Sequence, residues 1–133
     1  MTMPSIPVSW GELLDKISIL EIKCQRIRDP EKLVNVRAEL EMLREARDCS
    51  IPGDAALAGL TIELRLVNGL LWDAEDAIRS CERSGDFGPT FIALARSVYT
   101  TNDRRAAIKR HINERLGSPL FEEKSYGLPP RSD

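Results

Sequence analysis

Asn68, Trp72, Glu75, Asp76 and Arg79 stand at offsets 0, 4, 7, 8 and 11. On a helix those offsets form one continuous face. Trp72 would offer a stacking surface and the charged groups polar anchors for a ligand. Glu75 and Arg79 form an i,i+4 pair in the favoured orientation. The commoner reading of such a strip is a boundary tryptophan beside a surface ion pair, which contributes little.

A second group lies further along. Between Arg96 and Leu116 there are six Lys/Arg residues against two acids, a local excess of four positive charges. Ile108, Ile112 and Leu116 mark the apolar line of this segment, and Arg104, Arg105 and Arg115 project close to it. An arginine beside a core seam needs a carboxylate partner, and Asp73 and Asp76 are the candidates. Two chemistries follow. One is a pocket for a small anionic ligand, a phosphosugar or nucleotide, built from Trp72, Asp76, Arg79, Arg104, Arg105 and Lys109. The other, favoured on frequency, is an internal Arg–Asp network between helices.

Glu12/Asp15 and Asp73/Asp76 are i,i+3 carboxylate pairs. Facing each other, they could hold Mg²⁺ for phosphate chemistry, with a faint likeness to the all-α nucleotide pyrophosphatases, whose fuller acidic pattern is missing. Di-iron chemistry needs a Glu-x-x-His on each of two helices, and the one histidine is His111. No metal site and no cofactor are expected. Neither G-x-S-x-G, nor a Cys–His arrangement, nor a glycine-rich phosphate loop is present. Net charge is −2, and the basic patch is short and lacks interleaved aromatics, so nucleic acid is not an expected partner.

These groups are carried by helices. The longest apolar pattern runs from Asp54 to Gly85, with Leu57, Leu60, Leu64, Val67, Leu71, Ala74, Ile78 and Cys81 at three-four spacing. Ile62, Leu66 and Leu70 form a second set on its far side. Before it, Ser9 and Glu12 make the S-x-x-E capping box of a first helix. There Trp10, Leu13, Ile17, Leu20, Cys24 and Ile27 face one way, and Ile19 and Ile22 the other. Asp29-Pro30 ends that helix and opens a second, reaching about Arg47. The short connection implies an antiparallel hairpin. After Gly85 the pattern predicts a fourth helix over 90–99 and a fifth from Thr101 or Asn102 to Leu116, stopped by Gly117.

The expected fold is thus all-α: an antiparallel helical hairpin packed on a long third helix and closed by two shorter ones. Residues 1–8 form an extended arm, 9–117 a single domain, and 118–133 an irregular tail. A chain of 133 residues can bury a core without disulfides. Cys24, Cys49 and Cys81 are odd in number and lack C-x-x-C spacing, as expected of free thiols in a reducing compartment. No signal peptide and no uninterrupted apolar run of bilayer length is present, so a cytoplasmic protein with no membrane partner is expected.

Ser9-Trp10-Gly11-Glu12-Leu13, Asp15-Lys16-Ile17, Ile19-Leu20-Glu21-Ile22-Lys23, Leu71-Trp72-Asp73, Glu75-Asp76 and Ala95-Arg96-Ser97-Val98-Tyr99 resemble a bacterial family of short proteins of unknown function. Asn102-Asp103, Arg105-Ala106, Ile108-Lys109, Ile112-Asn113 and Glu122-Glu123-Lys124-Ser125-Tyr126 extend the likeness over most of 9–126. The resemblance carries no activity. It implies that the tail from Glu122 to Tyr126 belongs to the domain and folds back, bringing Lys124 and Tyr126 towards the polar cluster.

Helices apolar on two sides favour a homodimer over a monomer. The leading functional expectation is therefore a non-enzymatic helical assembly module. The anionic-ligand binder is the alternative, and a Mg²⁺-dependent phosphate hydrolase the second alternative.

Overall fold

The computed structural model describes residues 2–51, 54–120 and 122–124. Among them are four helices and no strand: α1 (Trp10–Arg26), α2 (Pro30–Ser50), α3 (Ala55–Ser84) and α4 (Pro89–Leu116). The fold is all-α, as the apolar periodicity predicts.

Local chemistry sets most boundaries. Ser9 Oγ accepts the Glu12 N–H at 3.1 Å, half of the expected capping box; the Glu12 carboxylate goes to Lys109 instead. Asp29 and Asp54 cap α2 and α3 by accepting the N–H groups of Glu31 and Ala56. Gly85 and Gly117 end α3 and α4 in the left-handed region, at φ 69° and 62°, where a Cβ would be strained.

One boundary differs from expectation. The fourth and fifth helices are a single 28-residue α4. Thr101 and Asn102 resemble an N-cap, but the preceding Thr100 turns its hydroxyl back onto the carbonyls of Arg96 and Ser97, at 3.2 and 3.1 Å. A hydroxyl satisfied inside the helix does not interrupt it.

Helix α1 lies at the centre, against α2, α3 and α4, while α2 packs on α1 and α3 pairs with α4. The core is aliphatic: Leu13, Leu14, Ile17 and Leu20 of α1 meet Leu40 of α2, Leu57, Leu64 and Val67 of α3, and Ile108 and Ile112 of α4. The two-sided apolarity of α1 is therefore used within the chain, and Ile22 is buried too. That of α3 is not. Ile62, Leu66 and Leu70 remain 63%, 63% and 51% exposed.

Gly59 and Gly69 share this outer side of α3, and a Cβ on either would meet nothing within 4 Å. Each costs about 1 kcal/mol against alanine in a helix, without any close packing inside the chain to account for it. Helix α3 is also long and apolar. By length and composition alone it could cross a bilayer. Core helices of soluble proteins share that composition, and it is weak ground for a span.

Cys81 is buried, Cys24 half-buried and Cys49 exposed, all as free thiols.

Candidate functional site

Two polar residues interrupt the apolar faces of α1 and α3, and they meet in the core. Asp15 and Asn68 are each 4% exposed. The Asn68 amide donates to Asp15 Oδ1 at 2.8 Å and to Ser18 Oγ at 3.3 Å. With both donors directed at α1, its carbonyl oxygen turns the other way and accepts Arg105 Nη1 of α4 at 3.3 Å. Lys109, one turn along α4, reaches Glu12 at 2.7 Å, Asp15 at 3.5 Å and Glu122 at 3.0 Å. Gly11 brings α1 close enough for its N–H to meet Asn113 Oδ1 at 2.7 Å. Among the described residues no buried side-chain nitrogen or oxygen lacks a partner.

Burial pushes the Lys109 ammonium towards its neutral form. Hydrogen bonds to Glu12 and Glu122 and the charges of Asp15 and Glu12 outweigh this and hold its pKa above the ordinary lysine value. The Lys109 hydrogen bond in turn holds the Glu122 carboxyl below its usual range. Of the tail, Glu122 lies on Lys109 and Glu123 on Arg110, both at 3.0 Å. Tyr126 lies outside the described residues. Because the Glu122 pKa is depressed on folding, its contribution is complete above the unfolded value near 4.5 and is lost as pH falls through the folded value. Acid titration should therefore detach residues 122–124 before the helices melt. Amide NMR shifts of Glu122 that move only with global unfolding would contradict this.

Beyond Arg105 opens a cleft of about 390 Å³. Helix α3 lines it with Asn68, Leu71, Trp72, Glu75, Asp76 and Arg79, α4 with Asn102 and Arg105, and α1 with Ile19. The strip read from helical spacing is thus the wall of a cavity. The expected Glu75–Arg79 pair is not formed. Among the described residues the side chains of Glu75, Asp76, Arg79 and Asn102 have no hydrogen-bond or ion-pair partner.

Two expected contact residues lie elsewhere. Lys109 is held by three carboxylates beneath the cleft. Arg104 lines a different groove, with Ile22, Leu66, Leu70 and Asp73. Successive residues on a helix diverge by about 100°, and here Arg104 and Arg105 open onto different grooves. The expected Arg–Asp pairing between helices forms in part, with other partners. Asp73 pairs with Arg26, Arg115 with the α3 cap Asp54 at 2.8 Å, and Arg105 with an amide.

Three of the four carboxylates proposed for Mg²⁺ are engaged, Glu12 and Asp15 by Lys109 and Asp73 by Arg26, while Asp76 lines the cleft. Among the described residues no group of three or more His, Cys, Asp and Glu is placed to hold a metal ion. His111 is exposed.

Sequence reasoning missed Asn102, read as a cap, and Ile19, read as the back of α1. It also missed the Asp15–Asn68 bond, though a signal existed: each interrupts an otherwise apolar face, and a buried polar group there requires a partner.

The cleft offers two guanidiniums for an anion, two carboxylates and an amide for hydroxyl groups, and an indole for a ring. No curated protein and no solved structure matches the chain. Residues 5–132, nearly the whole chain and every residue of the cleft, match one family description, and the protein belongs to DUF6165, a family of unknown function.

Proposed function

We propose that the chain binds a small anionic, hydroxyl-bearing ligand, a phosphosugar or nucleotide, in the cleft between α3 and α4. The supporting observation is the set of charged side chains around the cavity that have no partner among the described residues: Arg79, Glu75 and Asp76. All three are exposed at the cleft wall, so no ion pair within the chain has to be broken for a ligand to engage them. Arg105 adds a guanidinium fixed through Asn68 to the core, and such a pre-positioned fork suits phosphate oxygens. Glu75 and Asp76 would repel a bare anion, so a ligand must also offer them hydroxyl donors. That favours a sugar phosphate or nucleotide over inorganic phosphate or a simple dicarboxylate. A volume of about 390 Å³ is at the small end of ligand pockets.

The test is a thermal-shift screen against phosphosugars, nucleotides, dicarboxylates and inorganic phosphate. A ligand at a hundredfold excess over Kd adds about 2.7 kcal/mol to apparent stability. Arg79→Ala and Arg105→Ala should each abolish the shift while leaving the unliganded Tm nearly unchanged, because Arg105 gives up one 3.3 Å hydrogen bond and Arg79 none. A flat screen, or a shift that survives both substitutions, would remove this reading.

The reading of the chain as a helical assembly module, working as a homodimer, is supported by a separate feature, the outer face of α3.

A further inference from the structure

The outer face of α3 carries three large apolar side chains at four-residue spacing, Ile62, Leu66 and Leu70, all more than half exposed. Ile62 and Leu70 are equidistant from Leu66, and so are Glu63 and Gly69. In a two-fold contact residue i of one copy meets residue j of the other and j meets i, and this spacing lets an apolar side chain meet an apolar one at every level. We infer that two copies of this chain pair through antiparallel α3 helices with the dyad at Leu66. Leu66 meets Leu66 of the second copy, and each Ile62 meets the other Leu70.

Charge complementarity selects this occupant over an unrelated helix. Glu63 and Arg104 have no ion-pair partner among the described residues of their own chain. In the antiparallel register Glu63 of one copy comes level with Gly69 and Leu70 of the other. Arg104 lines the groove beside those two residues. Each apolar layer is thus flanked by an acid from one copy and a cation from the other, twice by symmetry. Gly69 and Gly59, three and seven residues from Leu66, add no side chain to this face, and a Cβ on either would meet nothing within 4 Å. The helices can approach closely at both ends of the contact.

This deepens the assembly reading by naming its partner and is independent of the cleft. Sedimentation equilibrium of the full chain should show a dimer at micromolar concentration, and Leu66→Glu, which places two like charges at the dyad, should give a monomer with unchanged helical circular dichroism. Glu63→Arg and Arg104→Glu should each weaken the dimer by about tenfold or more, and the double variant should restore it. In a Cys49→Ser background, Leu66→Cys should cross-link on mild oxidation, whereas Val34→Cys on the exposed side of α2 should not. A monomeric wild type, or a dimer indifferent to Leu66→Glu, overturns the proposal. A double variant as weak as the single ones overturns the antiparallel register. Ligand-induced thermal shifts in the Leu66→Glu monomer would show the two readings failing or standing separately.

Discussion

Replacing Lys109 with methionine should cost about 3–5 kcal/mol of folding stability, the range for breaking one side of a buried ion pair. The Lys109 side chain is 11% exposed and that of Asp15 6%. The ammonium is the cation shared by Glu12, Asp15 and the returning Glu122. Without it, the buried Asp15 carboxylate loses its cation and keeps the hydrogen bond from Asn68. Methionine fills the aliphatic volume, so the loss reports the charge and not a cavity. Removing the orphaned charge as well should recover much of the stability, because replacing both members of a buried pair is often close to neutral. Urea denaturation of Lys109→Met and of Lys109→Met with Asp15→Asn measures both effects. A loss below about 1 kcal/mol for the single variant, the scale of a surface pair, would mean that Lys109 is a solvated lysine.

Gly11→Ala should destabilise the protein by about 2 kcal/mol, against the sign that helix propensity predicts. Inside a helix, alanine is favoured over glycine by about 1 kcal/mol. Here an added Cβ would stand 2.6 Å from the Lys109 carbonyl oxygen and 2.9 Å from Asn113 Oδ1. The first is a backbone atom of α4 and cannot rotate aside, so α1 and α4 must separate. Overpacking of this kind costs about 1–3 kcal/mol, and the Gly11 to Asn113 hydrogen bond of 2.7 Å adds about 1 kcal/mol when it breaks. The steric and hydrogen-bond terms together exceed the propensity gain. Thermal denaturation decides the sign, and a Tm equal to or above that of the wild type would refute the close α1–α4 contact. Because Asp15 of α1 and Arg105 of α4 both meet Asn68, a shift of α1 against α4 should also loosen the cleft.

What could be read from residue order is what depends on neighbours along the chain. Caps at Ser9, Asp29 and Asp54 and stops at Gly85 and Gly117 act within one turn. The apolar stripes of α1 and α3 follow from a fixed helical period. So does the grouping of Asn68, Trp72, Glu75, Asp76 and Arg79 on one face, which is why this part of the cleft was legible before any fold was known.

Tertiary packing decided what the stripes and charges meet. Helices α1 and α3 carry the same two-sided pattern, yet α1 is enclosed by three neighbours while α3 keeps Ile62, Leu66 and Leu70 exposed; periodicity says that a face is apolar, not what covers it. The rotation of α4 about its axis turned Arg105 into the cleft, Arg104 out of it and Lys109 onto the carboxylates of α1. Composition alone treats those three cations alike. An ion pair between helices depends on angles and distances set by the whole core, so Asp73 went to Arg26 and Asp54 to Arg115, leaving Arg79, Glu75 and Asp76 facing a cavity.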